Sequence, residues 1–291
     1  MSRLRSAVTG RIRRTVDELL DRKLELAAAT SPSTKAGLRQ LYGDYRATIA
    51  EGRPPPPVGE TGFRVFSEVD EDGILLFLLA CVGLDRGRFV DIGAGDCVTA
   101  SNCANLAFNL GFHGLFIDGD RVRIDAGRRL YANHPDTRTY PPQTLHSFIT
   151  RENVDDTVAG AGFSGEIDVL SIDIDGNDYW IWEAISCVEP RIVVIETHPE
   201  YRHEDVCAPY RADFDWRQAD PDQPVGASPA AMKRLGEQLG YRLVGGNRFG
   251  FNAFFVRDDL AAGLVPAIGV EGLLRHDWNR RPDDRPSPGP G

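Results

Sequence analysis

The chain has 291 residues, of which 42% are hydrophobic and 26% charged, with a formal net charge of -10. These proportions exclude a wholly disordered or membrane-embedded protein, and the acidic balance opposes a nucleic-acid partner, since the dense basic run is confined to Arg3, Arg5, Arg11, Arg13 and Arg14. Five scattered cysteines without a C-x-x-C pair exclude a disulfide framework and a thiolate zinc site, which fits a reducing cytoplasm. Charges interrupt the first apolar positions and no stretch reaches a spanning length, so neither export nor membrane insertion is expected.

Leu4, Val8, Ile12, Val16, Leu19, Leu20 and Leu24 recur at helical spacing and predict an amphipathic helix over residues 4–28. A second helix is expected from Ala36 to Ala50, then a stiff spacer at Arg53-Pro54-Pro55-Pro56-Pro57. Residues 1–57 therefore read as a helical extension and linker. Its apolar stripe is expected to pack on its own domain or on a twin subunit, with a membrane-surface helix as the alternative for the basic start, so a homodimer through these helices is one expectation. Residues 58–276 read as the catalytic domain. The proline-rich residues 277–291 are too polar to pack and are expected to be disordered.

Four apolar runs end in an acid: GRFVD at 87–91, GLFID at 114–118, IDVLSID at 167–173 and RIVVIE at 191–196. Buried parallel strands read this way, and an α/β sheet binds ligands at its strands' carboxyl ends. Two last strands are expected at Tyr241–Gly245 and Gly250–Val256, after a helix that Ser228 caps with Pro229 in its first turn.

After the first strand comes Asp91-Ile92-Gly93-Ala94-Gly95-Asp96, with a helix expected from Val98 to Leu110. Glycines at this turn let the backbone approach a ligand, but Val98 stands where a dinucleotide fingerprint needs a third glycine. The second strand ends in Ile117-Asp118-Gly119-Asp120, where Asp118 can accept from ribose hydroxyls. The two features together predict an adenosine-type site.

Over Ser67 to Leu260 the chain resembles class I S-adenosylmethionine (SAM)-dependent methyltransferases. The segments VDIGAGD, SNCANL, LFIDGD, DVLSIDIDGNDYW and RIVVIE look more narrowly like FkbM-type and related sugar or natural-product O-methyltransferases. The resemblance implies a Rossmann-like seven-stranded sheet ordered 3-2-1-4-5-7-6, with helices on both faces. It implies that Gly93, Gly95, Asp96, Asn102, Asp118, Gly119, Asp120 and Asp91 surround SAM, and that Glu71, in an E-D-G stretch, lies near its methionine part.

Asp173 and Asp175 stand two apart, and in an extended chain they project to one side; Glu196 ends the next strand, with His198 two residues on. Hard oxygen ligands without thiolates favour a magnesium-like ion. The resemblance to metal-dependent O-methyltransferases points to the same three acids, although Thr197 and His198 replace the acid or amide usual after Glu196. The competing reading is that Asp173 and Asp175 cap the helix starting near Asn177 or hold a turn. An alcohol must lose its proton, and His146 and His198 are the candidate acceptors. The resemblance to methylmannose-polysaccharide enzymes favours His146 as base, leaving His198 as a metal ligand or second base.

The expected function is SAM-dependent, magnesium-assisted O-methylation of a sugar or oligosaccharide in polysaccharide biosynthesis, with Tyr201–Val225, including Trp216, as a substrate lid. A metal-independent N- or O-methyltransferase of a peptide or antibiotic, a nicotinamide oxidoreductase and a non-catalytic adenosine-binding dimerisation module stay open.

Overall fold

The computed structural model describes residues 20–84, 87–215, 220 and 223–275. Most of the expected first helix and the C-terminal tail lie outside the described residues; residues 20–29 are helical. The second helix, Pro32–Ala50, begins four residues before its expected start, because Ser31 accepts from Thr34 N at 3.1 Å with Pro32 in the first turn. It packs on its own domain. Tyr45 meets Phe77 edge-on at 5.1 Å, and Arg46 donates to the Ala80 carbonyl at 2.9 Å.

Seven strands form one sheet in the order β3-β2-β1-β4-β5-β7-β6. They are β1 Arg88–Ile92, β2 His113–Asp118, β3 Gln143–His146, β4 Gly165–Ile172, β5 Val188–Glu196, β6 Tyr241–Gly246 and β7 Asn252–Arg257. The first five are parallel, and β7 runs antiparallel between β5 and β6. This is the order that the resemblance implies.

Side chains alternate across the sheet, and both faces are buried, which is why the strands read as continuous apolar runs. Val90, Ile92, Leu170 and Ile172 enter the core beneath the helices Val154–Gly160, Asp178–Ala184 and Pro229–Gln238. Phe89, Phe116, Val169 and Val194 enter the opposite core, with the helices Glu71–Val82 and Ala104–Asn109. Among the described residues no helix is long and apolar enough to cross a membrane.

The chain leaves β1 toward β2 on one side and returns to β4 on the other, so the crevice between β1 and β4 is the topological switch point. Gly93 sits there with φ +90°, and a Cβ on it would overlap the Asp173 carbonyl. The turn is thus glycine because it presses on the end of β4, a constraint additional to any ligand's approach.

Candidate functional site

One cavity of about 570 Å³ opens along the strands' carboxyl ends. Gly93, Asp118, Gly119, Asp120, His146, Asp173 and Asp175 all line it. The expected cofactor residues Glu71, Asp91, Gly95, Asp96 and Asn102 do not, and each has a structural partner that sequence spacing could not reveal.

Asp118 organises the β1–β2 side. Its Oδ2 accepts from Gly95 N and its Oδ1 from Asp120 N, both at 2.6 Å. Two backbone bonds hold the carboxylate at the cavity wall and leave lone pairs for further donors. Asp120 caps the helix Arg121–Asn133, accepting from Val122 N at 2.8 Å and Arg123 N at 3.1 Å. Its placement as a cofactor ligand is therefore shared with capping.

The helix expected from Val98 to Leu110 is shorter, Ala104–Asn109. Asp96 accepts from Val98 N and Thr99 N, and Ser101 Oγ from Cys103 N and Ala104 N, so side chains take amides that a helix would use. Cys97 and Ala100 adopt positive φ as a result. Behind this loop Asp91 is buried beside Ser101, and burial pushes its carboxyl up to about 7. Asn102 donates to Ser171 Oγ at 3.3 Å. Glu71 is fully buried and accepts from Val69 N, Asn247 Nδ2 and Asn252 Nδ2. These bonds tie the E-D-G stretch to the β6–β7 turn.

The acidic group forms as expected, by a different local route. Ligand oxygens of Asp173, Asp175 and Glu196 lie within 4.8 Å of one another. Asp175 has φ +60°, so the turn, and not the pleat of a strand, brings it to Asp173. At the helix Asp178–Ala184 the N-cap residue Asn177 makes no side-chain cap, and Asp178 accepts from Ile174 N and Gly176 N, both at 2.8 Å, which closes the turn that carries Asp175. Burial raises Asp178 to about 6.

Burial first, and then neighbouring carboxylates, raise Asp173 and Glu196 well above the usual carboxylate range. Glu196 Oε2 is buried and without a hydrogen-bond partner. A buried carboxylate oxygen without a hydrogen-bond partner, on a residue grouped with two more carboxylates, fits a hard divalent cation.

Neither of the two histidines is a member of this three-acid group. His146 ends β3, in register with Asp118, and its Nε2 meets the Gly119 carbonyl at 3.0 Å. The strand order puts β3 three spacings from β4, about 14 Å at ~4.8 Å each. His146 nevertheless lines the same cavity as Asp173 and Asp175. His198 pairs through Nδ1 with Glu200 at 2.9 Å, while its buried Nε2 has no hydrogen-bond partner and packs at Gly226. It lies outside the three-acid group, so a direct ligand role for His198 has no geometric support here.

The expected lid contributes Asp213, Phe214 and Asp215 to the cavity; Trp216 lies outside the described residues. The lid's base is fastened by Tyr210 to Glu152 at 2.5 Å, by Asn177 to the Arg211 carbonyl at 2.8 Å, and by Trp180 to the Ala208 carbonyl at 2.9 Å. Sequence reasoning missed Arg121, Arg123, Ser147, Phe148 and Asn177, which also line the cavity. Phe148 is 54% exposed; an aromatic two residues beyond a strand-end histidine was the available signal.

No protein-family model and no curated protein matches the chain. Among solved structures, it is similar to the magnesium protoporphyrin IX methyltransferase ChlM from Synechocystis PCC 6803 with bound SAH, at 14% identity and a TM-score of 0.41, covering 64% of this chain and 81% of ChlM. A TehB-like SAM-dependent methyltransferase from Corynebacterium glutamicum ATCC 13032 shares 12% identity with a TM-score of 0.34, covering 78% of this chain and 100% of the other. Monomeric WbdD shares 17% identity with a TM-score of 0.36, covering 77% of this chain but 41% of its own length. The chain thus spans less than half of WbdD. Likeness at this level carries no information on the chemistry of the cavity.

Proposed function

We propose that the chain is a SAM-dependent, magnesium-assisted O-methyltransferase that methylates a hydroxyl of a sugar or oligosaccharide in polysaccharide biosynthesis. The observation that carries this reading is the single cavity joining Asp118 and the Gly93 turn to Asp173 and Asp175. A nucleoside wall and a hard-cation wall then face one space, as a sulfonium methyl and a polyol oxygen require.

SAM supplies the methyl group on a sulfonium and leaves as the thioether. A divalent ion, when bound, would supply a positive charge that lowers the pKa of an acceptor hydroxyl. Asp118 accepts from the ribose hydroxyls, and Phe148 covers the open side of that wall. Asp173, Asp175 and Glu196 would hold the ion. The acceptor oxygen forms the new bond to the methyl carbon as the carbon–sulfur bond breaks, and the sulfur keeps the electron pair. The hydroxyl proton leaves at the open edge of the three acids, to a carboxylate oxygen of exposed Asp175 and on to solvent. Phe214 and the lid exclude water from the reacting atoms.

Titration with SAM and with NAD tests the nucleoside wall; binding of NAD in place of SAM would sink the reading. Incubation with partly methylated sugars, SAM and MgCl2 should yield a product heavier by one CH2. Full turnover after exhaustive chelation would transfer the reading to a metal-independent methyltransferase. SAM binding with no turnover on sugars, peptides or antibiotics would favour an adenosine-binding module.

A further inference from the structure

We infer that Arg123 recognises the carboxylate of the cofactor's methionine half, and so selects SAM over adenosine thioethers that lack this group. This rests on the SAM reading above and adds to it a residue that determines cofactor specificity.

Strand order gives the cofactor its direction. Asp118, which accepts from the ribose hydroxyls in that reading, ends β2. Asp173 and Asp175 follow β4, two strand spacings away, about 10 Å at ~4.8 Å each. Between them lies β1, whose turn carries Gly93 and Gly95 at positive φ. A sulfonium that presents its methyl group to an acceptor at β4 must therefore extend from the ribose across the β1 turn, and the methionine half goes with it. The base is left to the opposite side, toward β3, where the Phe148 ring stands 3.2 Å from the position of a Cβ on Gly119.

Arg123 lies in the helix after β2, but its guanidinium rests on the β1 turn. A Cβ added at Gly95 would overlap it, and Arg123 lines the same cavity as Gly93 and Asp118. The amide of Gly95 donates to Asp118 Oδ2 at 2.6 Å, so one residue links the guanidinium to the ribose-binding carboxylate. Among the described residues the Arg123 guanidinium has no ion-pair or hydrogen-bond partner, whereas Arg121 stands 3.6 Å from Asp125. An arginine with its donors unused, on the path of the methionine half, meets one anion there, the α-carboxylate. A planar guanidinium holds a carboxylate through two parallel N–H bonds, which fixes the direction of the chain as well as its charge.

The test is calorimetric titration of the full chain with S-adenosylhomocysteine, decarboxylated S-adenosylhomocysteine and 5′-methylthioadenosine. The second lacks only the carboxylate, and the third lacks the whole amino-acid part. The wild type should bind S-adenosylhomocysteine at least about tenfold more tightly than either. Arg123→Gln should weaken S-adenosylhomocysteine about tenfold and leave the other two within about twofold, which also shows that the variant is folded. Arg128→Gln, on the same helix but outside the cavity, controls for diffuse attraction and should leave all three affinities unchanged. Equal wild-type affinities for the first two ligands, an Arg123→Gln variant that weakens all three alike or none, or an equal loss in Arg128→Gln would overturn the inference. The two levels separate in the wild type. Binding of none of the three ligands removes the SAM reading, whereas binding that does not depend on Arg123 removes only the carboxylate assignment.

Discussion

Replacing Glu196 by Gln removes one charge from the three-acid group while keeping the side chain's shape. Asp173 and Glu196 place carboxylate oxygens within 4.8 Å of each other in a partly buried setting. Two unit charges at that distance repel by ~3.5 kcal/mol at an effective dielectric near 20, and by ~0.9 kcal/mol in bulk water. The variant should therefore gain about 1–3 kcal/mol in chelator near pH 8, which is about 2–6 °C in Tm for a chain of this size.

The sign follows from linkage. Asp173 and Glu196 are raised in the folded state, so between the unfolded carboxylate range and their folded values the native protein binds more protons. Their contribution is complete below the unfolded pKa and is lost as pH rises through the folded pKa. Near pH 5 the wild type and Glu196→Gln should accordingly converge. Near pH 8 the wild type in EDTA should be the less stable, and MgCl2 should raise its Tm more than the variant's. Differential scanning fluorimetry at both pH values, with EDTA or excess MgCl2, reads all four arms. A variant less stable than wild type in EDTA near pH 8, with an undiminished magnesium shift, would refute both the repulsion and the ion assignment.

Asp118→Ala should weaken SAM by about 1–3 kcal/mol in calorimetry, and should also lower Tm, because Gly95 N and Asp120 N lose their acceptor. Unchanged affinity in a folded variant would remove Asp118 from the ribose site. His146→Ala should lower kcat less than about tenfold, whereas Asp175→Asn should lower it by about 10²-fold or more. The reverse order in single-turnover assays would restore His146 as base. Gly93→Ala should lose several kcal/mol, through positive φ and overlap with the backbone at Asp173, while Gly95→Ala displaces only the mobile end of Arg123 and should lose about 1–2 kcal/mol in urea unfolding. Equal losses would mean that the turn relaxes at both positions.

The four acid-ended runs were legible because a buried parallel strand is apolar on both faces and stops at its polar ligand-facing end. That pattern needs no knowledge of neighbours. Ser31-Pro32 carried a helix start that the periodicity placed four residues late, and Ser228-Pro229 carried another that it placed correctly. The convergence of Asp173, Asp175 and Glu196 was also readable from residue type, although an extended Asp173–Asp175 pair was not the route. Asp175 instead occupies a turn with φ +60°, closed by the two backbone bonds to Asp178.

Tertiary structure decided how the remaining polar residues are used. Glu71 is joined to Asn247 and Asn252, more than 170 positions away, and Asp118 to Gly95 across two strands. Hydrogen-bond partners so distant along the chain leave no local periodicity. His146 shows the same limit at the scale of the sheet. Its place at a strand's carboxyl end follows from sequence, but its distance from the acids follows from β2 and β1 lying between β3 and β4. Local spacing determines which end of the sheet a residue reaches, and strand order determines which neighbours it meets there.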